Sequence, residues 1–111
     1  MSAVVCYITA PDRDEALKIG RALVEERLVA CANVLDGMTS IYRWEGAIQQ
    51  DSEVVLIAKT RHELSESVIE RVRELHSYDC PCVIAWPITA ANPDYLQWIE
   101  KEAPFRRDMI V

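Results

Sequence analysis

Glycine is scarce in this chain: Gly20, Gly37 and Gly46 stand far apart among 111 residues. No glycine-rich loop is available to cradle a phosphate or frame an oxyanion, which excludes P-loop and dinucleotide chemistry. No apolar run approaches the roughly 18 residues that mark a membrane span. The N-terminus lacks a basic segment ahead of a long apolar stretch, so no secretory signal is read there. Linkers rich in Gly, Ser or Pro and low-complexity blocks are also missing, and residues 1–111 are expected to form one domain. The net charge of -6 comes without a Lys/Arg cluster, which argues against a nucleic-acid partner. A cytoplasmic location is the expectation, and in that reducing compartment the four cysteines stay free or bind metal rather than pair.

What is present is a regular alternation of strand and helix signals. Val4 to Thr9 is rich in β-formers and is punctuated by Pro11-Asp12. Asp12 and Glu15 have capping-box spacing, after which Ala16, Leu17, Gly20, Leu23, Val24 and Leu28 recur at helical intervals. A second strand starts at Cys31, with a bend or bulge expected at Asp36-Gly37. Beyond it Met38, Ser40, Tyr42 and Trp44 share one face. Glu45-Gly46 predicts a hairpin turn into a third strand ending at Lys59-Thr60, with a break expected at Asp51-Ser52.

Thr60 and Glu63 repeat the capping-box spacing before the stripe Leu64, Val68, Ile69, Val72 and Leu75, which predicts a second helix ending near His76. Val83 to Ile88 reads as a fourth strand, confined to a sheet edge by Pro81 and Pro87. Asn92-Pro93 caps a short final helix. The order β-α-β-β-α-β plus a C-terminal helix predicts an α+β, ferredoxin-like antiparallel sheet with both main helices on one face. Each arm of the central hairpin would reach about 40 Å, longer than the core of so small a domain can cover. The long arms and the apolar residues of the uncovered sheet face both predict a homo-oligomer.

Chemistry concentrates in His76-Ser77-Tyr78-Asp79-Cys80-Pro81-Cys82, where an imidazole, a carboxylate and two thiols fall within seven residues. Thiols one residue apart project to the same side of an extended backbone, so His76, Cys80 and Cys82 are candidate ligands for copper or another divalent metal, with Asp79 to complete the shell. A packing role for the thiols is the competing reading, and a Cys-His nucleophile a third. Cys6 and Cys31, in apolar strand contexts, are expected in the core. Tyr42, Trp44 and Lys59 form a second constellation, able to receive a small anion or simply to pack the sheet.

Several short motifs follow one another in the order of a known family: Thr9-Ala10-Pro11-Asp12, Ala30-Cys31-Ala32-Asn33-Val34, Tyr42-x-Trp44-x-Gly46, Lys59-Thr60, His76-x-Tyr78 with Pro81, and Asn92-Pro93-Asp94-Tyr95. The chain resembles the CutA divalent-cation-tolerance family along nearly its whole length. The resemblance implies a cytoplasmic homotrimer of ferredoxin-like subunits, associated with copper and other divalent cations, without an established enzymatic activity and related in fold to the trimeric PII signalling proteins. Tyr42, Trp44, Lys59, Tyr78 and Asp79 are the residues expected to line a ligand cleft between subunits. Some members carry a cysteine where this chain has Ile8, two histidines where it has Leu75-His76, and glutamates where it has Asp79 and Cys82. A site so altered would prefer softer ions, because thiolate selects copper or zinc over magnesium or manganese. The alternative within the same resemblance is a PII-like hub that binds a small ligand or a partner protein.

Overall fold

Alternation along the first strand decides which face of the sheet is buried. Val4, Cys6, Ile8 and Ala10 are buried on one side of β1 (Ala3–Ala10), while Val5 and Tyr7 on the other are only partly covered. The computed structural model describes residues 2–105; the outermost positions of the expected 1–111 domain lie outside them. After β1 come α1 (Arg13–Glu25), β2 (Cys31–Trp44), β3 (Ala47–Arg61), a single 3₁₀ turn (His62–Leu64), α2 (Ser65–Leu75), β4 (Val83–Pro87) and α3 (Pro93–Glu102). The four strands form one antiparallel sheet in the order β2-β3-β1-β4, which gives the predicted α+β, ferredoxin-like arrangement with β4 at an edge.

The buried face joins the helices in one core. Ile19 and Leu23 of α1 and Val68 and Val72 of α2 pack with Val4, Cys6, Ile8, Leu56 and Ala58 of the strands. Each fully buried aliphatic side chain of this kind contributes roughly 1.5–3 kcal/mol. Gly20 lets α1 approach closely, since a Cβ there would stand 3.2 Å from Leu56 Cδ1 and 3.3 Å from Ala32 Cβ. The helix ends at Glu25 rather than continuing to Leu28. Arg27 takes a left-handed conformation (φ 58), its N–H donates to Val24 O, and Leu28 N–H donates back to Leu23 O, forming a Schellman stop.

Two capping predictions are corrected. Asp12 caps α1 through Glu15 N–H (2.8 Å), but the Glu15 carboxylate turns away and holds the loop after α2 instead. Thr60 caps nothing: its hydroxyl is buried and donates to Leu28 O at 2.7 Å, and α2 begins after the 3₁₀ turn without a side-chain cap. Asn92 caps α3 as expected, accepting from Asp94 N–H. The predicted break at Asp51-Ser52 does not occur, because β3 pairs without interruption through both residues.

The hairpin turn is where the sequence placed it. Glu45 (φ 50) and Gly46 (φ 80) both lie in the left-handed region, as a two-residue type I′ turn requires. Register shifts between Leu35/Val55 and Met38/Glu53, so Asp36 and Gly37 together oppose Val54 alone. This bulge reverses the alternation of β2. Below it Cys31, Asn33 and Leu35 point to the open face; above it Met38, Ser40, Tyr42 and Trp44 do. The open face therefore carries an apolar and aromatic series, including Tyr7, Leu35, Ile57, Ile84 and Trp86. Among the described residues only α3 turns around the sheet to cover one corner of it, where Leu64, Ile99, Ala103 and Ala3 pack together.

Candidate functional site

Between the hairpin and the α2–β4 loop lies a cleft of about 620 Å³. Its sheet wall comes from Tyr7 and Thr9 of β1, Met38, Ser40, Tyr42 and Trp44 of β2, and Glu53 of β3; Tyr78, Asp79, Cys80 and Cys82 close the other side. Two constellations read separately in the sequence therefore meet in one place. Lys59 is not among them. It sits lower on the open face, donating to Asn33 Oδ1 at 3.0 Å with its ammonium 5.8 Å from the centre of the Tyr95 ring. Register explains the separation: Lys59 pairs with Cys31, below the bulge, whereas Tyr42 and Trp44 lie above it.

His76 holds the loop rather than facing the cleft. Its side chain is 0% exposed, and Nε2 donates to Thr9 O at 2.7 Å. Nδ1 lies 3.0 Å from Tyr78 N and 3.2 Å from Glu15 Oε2. A neutral ring accepts from the Tyr78 N–H and a protonated one donates to Glu15, so in neither state is a lone pair left for a metal. Glu15 also accepts from Ser77 N–H and Oγ–H at 3.1 and 3.0 Å, which ties the loop to the start of α1. Among the described residues no group of three or more His, Cys, Asp or Glu side chains is arranged to hold a metal ion. The structure thus separates His76 from Cys80 and Cys82, and the two thiols remain as exposed groups at the cleft.

Acidic and phenolic groups set the electrostatics. Tyr78 Oη donates to Glu53 Oε2 at 3.0 Å, and burial followed by this bond pushes the phenol up to about 12. Tyr42 donates to Asp51 on the same face of the hairpin, and that bond raises its phenol as well. Burial first, and then the charge of Glu53, raise the Cys82 thiol above its ordinary value. A thiol so placed is no activated nucleophile. Burial pushes Cys6 up to about 11 in the core, as its apolar context predicted. Cys31 departs from that expectation: it is half-buried on the open face, with Sγ 3.4 Å from Tyr95 Oη, and the pair raises Tyr95 to about 12. Glu53, Met38 and Tyr7 escaped sequence reasoning, although the even-numbered face of β2 above Gly37 already included Met38.

The sequence profile of the CutA1 divalent ion tolerance protein family matches residues 4–102. The chain belongs to that family. The CutA1 relatives include the chloroplastic protein CutA of Arabidopsis thaliana, 45% identical over 98 residues, which make up 88% of this chain and 54% of that protein. They also include the divalent-cation tolerance protein CutA of Thermus thermophilus, 44% identical over 87% of this chain and 94% of its own length. The chain thus spans about half of the plant relative and nearly all of the bacterial one. The crystal structure of CutA1 from Oryza sativa superposes with a TM-score of 0.92 at 37% identity, covering 96% of this chain and 97% of the rice chain. Among the described residues no helix is long and apolar enough to cross a membrane.

Proposed function

We propose that the chain acts in the cytoplasm as a homotrimeric, non-catalytic binding protein for copper or a similar soft divalent ion, with Cys80 and Cys82 as the protein's ligands. The observation that carries this reading is the opening of both thiols on one cleft, beside the Met38 thioether and the Glu53 and Asp79 carboxylates, in a member of a divalent ion tolerance family. Sulfur donors favour copper, and the two carboxylates lining the same cleft favour a cation over an anion there. His76 acts as a positioning residue for the loop. The trimer rests on the uncovered sheet face and on the hairpin beyond the bulge, where Ile41 and Ile48 are 68% and 67% exposed.

The test is an anaerobic copper titration. Replacing both Cys80 and Cys82 by Ser weakens binding by well over tenfold, at about 1.4 kcal/mol per decade, and an unchanged isotherm overturns the assignment. The sign of the pH dependence follows from thiol chemistry, and partial desolvation followed by the charge of Glu53 makes the Cys82 proton harder to remove than usual. Metal must displace that proton, so affinity rises about tenfold per pH unit for each thiol proton released, until the thiol ionises unaided.

A second reading, a PII-like hub for a small molecule, is favoured by size. A bare ion fills a small part of about 620 Å³, a volume in the range of small-molecule pockets.

A further inference from the structure

We propose that His76 is a pH-operated latch on the α2–β4 loop: when its ring gains a second proton, Nδ1 stops accepting from Tyr78 N–H and donates to Glu15 instead. The latch lies inside one chain and works whatever the cleft holds, so it stands apart from the reading of the thiols.

Connectivity is the first argument. The pairing of β1 with β4 ends at Ile8 and Val83, which leaves the backbone of Thr9 beyond the end of β4. Thr9 N–H donates to Cys82 O at 3.3 Å, and Thr9 O accepts from His76 Nε2 at 2.7 Å. Residues 77–81 therefore form a loop pinned at both ends on a single residue of β1. Its His76 end is the one that can change state.

Ring chemistry is the second. Donation to Thr9 O fixes the first proton on Nε2 and leaves Nδ1 as the variable atom. Two groups compete for it: Tyr78 N at 3.0 Å, whose N–H needs a lone pair there, and Glu15 Oε2 at 3.2 Å, which needs a proton. No single protonation state serves both. The neutral ring holds the Tyr78 backbone; the charged ring makes a charge-assisted bond to α1 and leaves Tyr78 N–H without its acceptor. Tyr78 also reaches Glu53 through its hydroxyl, so acid loosens the loop at the residue that joins it to the sheet.

The surroundings are the third. The His76 side chain is already fully covered within one chain, so subunit association adds no contact to it. Glu15 is the charged group set against the ring and, at 17% exposure, its route to solvent. Asp12, at the same end of α1, spends its carboxylate on Glu15 N–H. Arg73 and Glu74 of α2 pair with Glu70 and Arg71. The Tyr78 ring lies 4.7 Å from the imidazole between centroids with its phenol turned to Glu53, and β4 carries no ionisable side chain. Among the described residues, a proton on Nδ1 is thus answered by Glu15.

The experiment is an NMR titration of the full chain between about pH 5 and 8, with chelator present. His76 and His62 are the chain's two histidines, the side chains whose ordinary range falls in that window. The Tyr78 amide shift is expected to follow the His76 ring nitrogens with one midpoint. Its protection, corrected for the intrinsic pH dependence of exchange, falls by about tenfold in acid. Glu15→Gln, whose amide oxygen still accepts from Ser77, moves the transition to lower pH. His76→Gln, which can still donate to Thr9 O, abolishes it, while His62→Gln, in the exposed 3₁₀ turn, leaves it unchanged. A Tyr78 amide that ignores pH, a midpoint unmoved by Glu15→Gln, or a response that survives His76→Gln overturns the proposal. Loss of the response in the Cys80→Ser/Cys82→Ser variant also overturns it, by returning the effect to the thiols. Should His76→Gln fail to fold, the ring and amide midpoints of the unaltered chain and of Glu15→Gln decide. A failed copper titration beside an intact pH response removes the metal reading alone.

Discussion

Single residues in this protein often serve a neighbour rather than the role their sequence position suggested. Glu15 has the spacing of a capping-box partner yet supports the loop that closes the cleft, 62 residues away along the chain. His76 was legible as a polar residue of consequence, but its burial against Thr9 was not, because nothing in a linear sequence says that β1 and the end of α2 meet. Cys80 and Cys82 were legible because neighbouring thiols are visible as text; Glu53, one carboxylate among 18 acidic residues, was not. Tyr78 offers a test at this scale. Its phenol is raised to about 12 by burial and the Glu53 bond, so the protonated form is favoured in the folded chain. The stability it contributes is fully present below the ordinary phenol range near pH 10 and is lost as pH rises through about 12. Spectrophotometric titration of phenolate should show one fewer late-ionising tyrosine in Tyr78→Phe; an unchanged curve would refute this account.

At the scale of elements, one extra residue controls the site. Without the bulge at Asp36-Gly37, the alternation of β2 would put Tyr42 and Trp44 on the face away from Tyr78 and Glu53. The sequence showed this device because Asp-Gly is a local signal and Met38, Ser40, Tyr42 and Trp44 keep one parity after it. The two-residue turn at Glu45-Gly46 was legible for the same reason. Thr60 was misread because a capping motif competes with tertiary partners, and Leu28 O claimed its hydroxyl. Gly37 has φ +84 and open space around it, so Gly37→Ala is opposed by backbone strain alone. Left-handed geometry costs roughly 1–2 kcal/mol, and the stiffer unfolded chain returns part of that, leaving a net loss of about 1 kcal/mol. Chemical denaturation measures it, and an unshifted midpoint would show that the bulge does not depend on glycine.

For the whole molecule, the dominant fact is the contrast between the two faces of the sheet. One is sealed by α1 and α2, while the other leaves Trp86, Ile84 and Leu35 exposed. The topology was readable because proline placement and strand order both put β4 at an edge; the cleft as a single site was not, since it needs the fold to bring residues 7 and 82 together. Burial of Trp86 between subunits of the inferred trimer predicts that Trp86→Asp, which places a charge on that face, lowers the mass seen by light scattering from three chains toward one. A Trp86→Asp protein that stays trimeric would locate the interface elsewhere. The hairpin beyond the bulge has a further consequence. It works as a lever whose base is built into the sheet, and Tyr42 and Trp44 ride on its far, exposed end. Whatever steadies that end also shapes the pocket, so ligand affinity and subunit association draw on the same free energy. Dilution of the protein should weaken its hold on a ligand even when no contact to that ligand has changed.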